Sequence, residues 1–193
     1  PKCVLVVEDN ESLRKLIILS LNRTGFITEG AVLGSEAIKL MDETPERVLL
    51  LDQQLPDMTG RDIVRKLSEA GRKPRFIMMT GQGDERLAVE MMKLGAADYL
   101  VKDSDFIDLL PGVLDRLFKN IETEHRLNKA ESALKLVEEK YRILVEYSQS
   151  LIYTLDKNGI ITFASPSWKC HLDYNPEEVM GRDFRFFLFP EDL

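Results

Sequence analysis

Glu8 and Asp9 follow one short apolar run and Asp52 ends another, so three carboxylates stand at the finish of two stretches that read as strands. If those strands lie side by side, the negative charges converge and repel unless a cation compensates them. A cluster made only of oxygen donors, with room for water, suits Mg2+ or Mn2+ better than zinc, which prefers nitrogen and sulfur. Two further runs end in Thr80 and Lys102. A hydroxyl and an ammonium at the same rim supply a donor and a positive charge of the kind that phosphoryl oxygens take. Each group also has a plainer reading. Glu8 and Asp9 would serve as favourable charge at a helix N-terminus, Thr80 could open a turn, and Lys102 could be a solvated strand end. The conjunction carries the argument.

The elements that must position these groups follow from the apolar pattern. Strands are predicted at 3–7, 26–31, 48–51, 76–79 and 99–101, separated by amphipathic stretches. Leu13, Leu16, Ile17 and Leu21 recur at helical spacing, as do Ile63, Val64 and Leu67, and then Leu87, Met91 and Met92. Short continuous apolar runs alternating with helices describe parallel strands covered on both faces. The expected fold is therefore α/β, a doubly wound five-stranded parallel sheet. Such sheets bind ligands beyond the carboxyl ends of their strands, where the strand order reverses. That is where the five groups fall.

Beyond Asp103 the pattern changes to a long helix, with Pro111 in its first turns, where a missing amide matters least. Leu127, Ala130, Leu134, Val137, Tyr141, Leu144 and Ser148 step by three and four, the spacing of a coiled-coil seam. An earlier seam through Leu110, Leu114, Leu117 and Ile121 is offset from it near Glu124. Glu122 with Arg126, Glu131 with Lys135 and Glu138 with Arg142 are spaced to support an exposed helix. A partner helix, and so a homodimer, is expected; packing of the stripe on the chain's own domains is the alternative. Strand pattern returns at 151–155 and 160–164 around Asp156-Lys157-Asn158-Gly159, a hairpin signal.

Four stretches, VLVVEDN at 4–10, LLLDQQLPDMTG at 49–60, IMMTG at 77–81 and GAADYLVK at 95–102, resemble the receiver domain of bacterial two-component response regulators over residues 1–120. The resemblance implies the flavodoxin-like strand order 2-1-3-4-5, and it implies that Asp52 is the phosphoacceptor and Asp9 a direct ligand of Mg2+ or Mn2+, with Glu8 acting mainly through water. It implies that Gln54 offers its backbone carbonyl to the metal and places its side chain where the family tunes phosphoryl lifetime. Thr80 and Lys102 would bind the phosphoryl group. Tyr99 resembles the aromatic whose rotamer follows Thr80, although one aromatic in a strand is equally a core residue. The donor implied is a histidine kinase or phosphotransfer protein, and the chain is a signalling phosphoacceptor rather than an enzyme. One departure stands out: Asp103 replaces the family's usual proline, so the cis bond often found there is disfavoured, and its carboxylate could draw Lys102 from the site.

YRILVEYS at 141–148, IYTLDKNGIITFASPS at 152–167, YNPEEVMG at 174–181 and FPEDL at 189–193 resemble the first half of a PAS domain. The implied division is a receiver domain at 1–120, a helical coiled-coil linker at 121–147 and a partial PAS domain at 148–193. Trp168, Phe184, Phe186 and Phe187 would be core in a complete PAS fold and are expected to be exposed here. No cofactor-binding residue is nominated there. His125 reads as a solvated helix residue. The chain opens at Pro1 without a methionine, and a piece of a longer protein is expected. Two alternatives remain open: an unphosphorylated receiver-like scaffold dimerising through the helix, and the regulatory segment of a histidine kinase or cyclic-dinucleotide enzyme.

With 26 Lys plus Arg against 33 Asp plus Glu, the formal charge is −7, which disfavours nonspecific capture by nucleic acid or anionic lipid. The apolar runs are too short to span a bilayer, and Cys3 and Cys170 suggest reduced thiols in a cytoplasmic setting.

Overall fold

The computed structural model describes residues 2–81 and 85–188, apart from the side chains of residues 85–87. Five parallel strands, β1 (Cys3–Val7), β2 (Ile27–Ala31), β3 (Val48–Asp52), β4 (Arg75–Thr80) and β5 (Asp98–Val101), form one sheet in the order β2-β1-β3-β4-β5. The expected order and all five strands are present, each within about a residue or two of its predicted bounds. Leu87 is the one expected helix-face residue whose side chain lies outside the described residues.

The central strands β1 and β3 and β4 beyond Arg75 are apolar almost to their ends because both faces are covered, whereas the edge strand β2, with Thr28 and Glu29, is half open. Val4, Val6, Val48, Leu50, Ile77 and Met79 face α1 (Glu11–Arg23) and the start of α5 (Phe106–Glu146). Leu5, Val7, Leu49, Leu51, Phe76 and Met78 face α2 (Gly34–Glu43), α3 (Gly60–Glu69) and α4 (Glu85–Lys93). Alternation along each strand produces these two cores. The register then aligns the carboxyl ends. Val7 pairs with Leu51, Asp52 with Met79, and Thr80 with Val101, so the residues that close β1, β3, β4 and β5 share one rim.

Contacts divide the chain after Thr123, within α5. In the first unit Leu110, Leu114 and Leu117 are buried against the sheet, with Ile121 packed beside them. The earlier seam is thus core and not a coiled-coil face. Past the division the second seam is bare, with Leu127, Leu134, Val137, Tyr141 and Leu144 all exposed. Arg142 is paired at 3.9 Å with Glu139, three residues away, in place of the four-residue spacing to Glu138. Pro111 sits in the second turn of α5.

In the second unit β6 (Tyr153–Leu155) and β7 (Ile161–Ala164) pair antiparallel across the predicted turn, where Gly159 takes φ 83° and the Asp156 carboxylate accepts the Asn158 and Ile160 amides. The helices α6 (Ser167–Leu172) and α7 (Pro176–Val179) and a 3-10 turn (Phe184–Phe187) close a small core of Ile161, Ala164, Trp168 and Val179. Trp168 is buried, contrary to the expectation of exposure, because Tyr153 and Phe187 meet it edge to face; Phe184 and Phe187 are half-buried and only Phe186 lies open. The 189–193 stretch lies outside the described residues. Among the described residues no helix is long and apolar enough to cross a membrane.

Candidate phosphoacceptor and metal site

Glu8 follows β1 directly, Asp52 ends β3 and Lys102 follows β5; by the two-residue alternation all three belong to the α1/α5 side of the sheet. They meet there. The Lys102 ammonium lies 2.7 Å from Glu8 Oε2 and 2.8 Å from Asp52 Oδ2. The Lys102 main chain is fixed by its amide, which donates to the Thr80 carbonyl at 2.7 Å. Asp103 does not compete for the ammonium. Its carboxylate accepts the Asp105 amide in the turn that starts α5, and the Lys102–Asp103 peptide is trans.

Ligand oxygens of Glu8, Asp9 and Asp52 lie within 4.8 Å of one another. Glu8 is 1% exposed, and its Oε2, although close to Lys102, has no aligned hydrogen-bond donor. A buried anionic oxygen without a directed donor, beside two more carboxylates, fits a hard cation with oxygen ligands. Burial pushes the Glu8 carboxyl above the ordinary range, and the Asp52 charge adds to this against the opposing pull of Lys102 and the Asn10 amide. Asn10, not Glu8 or Asp9, caps α1: its side chain accepts the Leu13 amide. The acidic pair is therefore free of the capping role. Arg14 holds the same turn from behind, donating to the Glu8 carbonyl at 2.7 Å.

Asp52 is 7% exposed, and its Oδ1 accepts the Gln53 amide at 2.7 Å. Behind it Gly60 starts α3 with no space for a side chain, since a Cβ there would sit 2.5 Å from the Asp52 carbonyl oxygen. Between them the 53–60 loop is a compact turn, closed by the Leu55 amide on the Met58 carbonyl and by a bridge between Gln54 and Thr59. Asp57 ties this turn to α2 by accepting the Gly34 and Ser35 amides at 2.8 and 2.9 Å. The Ser35 amide, joined by that of Gly34, holds the Asp57 carboxyl below the usual range.

Thr80 is buried at the same rim but lies by alternation on the other side of the sheet, where its hydroxyl donates to Gln53 Oε1 at 2.6 Å. Tyr99 is half-buried on that side too, packed against the core under α2, α3 and α4. The structure thus brings Glu8, Asp9, Asp52 and Lys102 together, with Thr80 one strand away and Gln54 on the adjoining loop. Sequence reasoning passed over Gln53, Arg14 and Asp57. Only Gln53 had a usable signal: two-residue alternation puts it on the face of Thr80.

The sequence model of the response regulator receiver domain matches residues 4–114. The chain is similar to the probable transcriptional regulatory protein SilR of Salmonella typhimurium, 33% identical over 139 residues, or 71% of this chain and 61% of that protein. It is similar to the transcriptional regulatory protein SrrA of Staphylococcus aureus, 38% identical over 99 residues, or 51% of this chain and 41% of that protein. It therefore spans less than two thirds of either relative. Among solved structures, the Francisella response regulator 1452 receiver domain aligns with a TM-score of 0.57 at 25% identity over 63% of this chain and 99% of that one. The BeF3-activated DrrB receiver domain aligns with a TM-score of 0.53 at 26% identity over 61% and 97%.

Proposed function

Because the chain belongs to the response regulator receiver family, we propose that its first unit accepts a phosphoryl group on Asp52 from the phosphohistidine of a histidine kinase or phosphotransfer protein. The observation that carries the reading is the placement of Lys102 within 2.8 Å of a nearly buried Asp52 carboxylate, beside two further acidic ligands. An Asp52 oxygen attacks phosphorus, the phosphorus–nitrogen bond breaks, and its electron pair leaves with the imidazole, which takes a proton from water. The product is an acyl phosphate on Asp52. Lys102 pairs with a phosphoryl oxygen in place of the carboxylate charge it now neutralises, and the Thr80 hydroxyl donates to another.

Asp9 and Asp52, the Gln54 backbone carbonyl and, through water, Glu8 would hold Mg2+ or Mn2+. Bound there, the cation neutralises charge so that an anionic donor can approach an anionic nucleophile. Tyr99 would follow Thr80 when the hydroxyl moves. The bare stripe on α5 supports a homodimer through the long helix, which would carry the change toward the PAS-like unit; a monomer in sedimentation would remove the dimer. Net negative charge argues against nucleic-acid contact by this chain itself, although both relatives are named transcriptional regulators. The test is intact mass after incubation with acetyl phosphate and Mg2+. One added phosphoryl group, lost with chelator and in Asp52→Ala, is expected; labelling that survives either change would reject the reading.

A further inference from the structure

We propose that Gln53 is a positioning residue: its side chain holds the Thr80 hydroxyl away from Asp52 in the unphosphorylated protein and so sets how readily the site takes a phosphoryl group. This rests on the reading of Asp52 as phosphoacceptor.

Thr80 has one hydroxyl proton, and it is given to Gln53 Oε1 at 2.6 Å. Thr80 is 2% exposed, so water competes little for that bond. The Gln53 backbone is fixed beside Thr80, because its main-chain amide donates both to Asp52 Oδ1 at 2.7 Å and to the Met79 carbonyl at 3.0 Å. Asp52 and Gln53 are neighbours whose side chains leave opposite faces of the sheet. The nucleophile therefore stands with Lys102 on one side and the hydroxyl donor is held on the other. A phosphoryl group on Asp52 can recruit Thr80 only after the bond to Gln53 breaks. The Gln53 side-chain carbonyl thus acts as a brake, competing with the phosphoryl oxygen for a single proton.

Gln53→Met removes the acceptor and keeps the length of the side chain. Calorimetric titration with beryllofluoride and Mg2+ should show it binding about five-fold tighter than the wild type, the scale of one neutral hydrogen bond. In a Thr80→Val background the same change should give no gain, since there is no hydroxyl to release. A gain that persists in Thr80→Val, or binding by Gln53→Met that is equal to or weaker than wild type, overturns the inference and leaves the phosphoacceptor reading intact. Failure of the wild type to bind beryllofluoride with Mg2+ removes both. Should Gln53→Met fold poorly, the wild type decides alone. Its Gln53 side-chain carbonyl resonance should move when beryllofluoride binds, as its donor departs, and an unmoved resonance overturns the inference.

Discussion

Replacing Lys102 by methionine should make the metal-free protein less stable and at the same time a better binder of Mg2+. The ammonium lies between Glu8 and Asp52, at 2.7 and 2.8 Å, and the acidic ligand atoms lie within 4.8 Å of one another. At an effective dielectric constant of about 20, two unit charges at that separation repel by about 3 kcal/mol. Little of this is screened, because the Lys102 side chain is 15% exposed and that of Glu8 2%. Methionine keeps the stem and removes the charge, so the metal-free variant should lose on the order of 3 kcal/mol, relieved in part by proton uptake at Glu8. Mg2+ then enters the same carboxylates without a resident cation to displace, and its affinity should rise by about ten-fold or more. Urea unfolding with and without Mg2+ measures the first effect, and calorimetric titration of Mg2+ the second. Phosphoryl acceptance should nevertheless fall. Unchanged stability without metal, or Mg2+ binding no tighter than wild type, would refute the placement of the ammonium among the acidic groups.

The raised Glu8 pKa gives metal-free stability a pH dependence of defined sign. The folded state binds more protons than the unfolded chain from about pH 4.5 up to the raised value, so this contribution is present at low pH and lost as pH rises through that window. Glu8→Gln should flatten the slope relative to wild type and raise metal-free stability near neutral pH while weakening Mg2+ binding; an unchanged slope in urea titrations would contradict the burial argument. Gly60→Ala forces a Cβ to within 2.5 Å of the Asp52 carbonyl oxygen. It should cost about 1–3 kcal/mol in chemical denaturation, as overpacking does, and a loss below about 0.5 kcal/mol would show that the turn yields more easily than its contacts imply.

The sheet was legible because parallel strands covered on both faces are written as continuous apolar runs. Glu8, Asp52, Thr80 and Lys102 were legible for a related reason: each sits where such a run stops. Strand bounds moved slightly, with Ile27 in place of Phe26 and Arg75 and Thr80 drawn into β4, since backbone pairing rather than side-chain polarity sets the ends. The hydrogen bond between Gln53 and Thr80 was legible only as a shared face, from alternation in two strands, since the contact itself depends on their register. In α5 one rhythm of leucines serves two environments, sheet-covered before the offset near Glu124 and bare after it. Spacing alone cannot separate these, as both need an apolar stripe. Trp168 was misread for want of the short elements between Ser167 and Phe187, whose burial of the ring follows from aromatic contacts distant in sequence.

The most direct measurement is the position of the acyl phosphate itself. After reaction with acetyl phosphate and Mg2+, borohydride converts a phosphorylated aspartate to homoserine, which peptide mass spectrometry locates. Homoserine at position 52 alone is the expected result. Homoserine at position 9 or 57, or a phosphoryl group that resists borohydride, would contradict the assignment of Asp52 as the nucleophile.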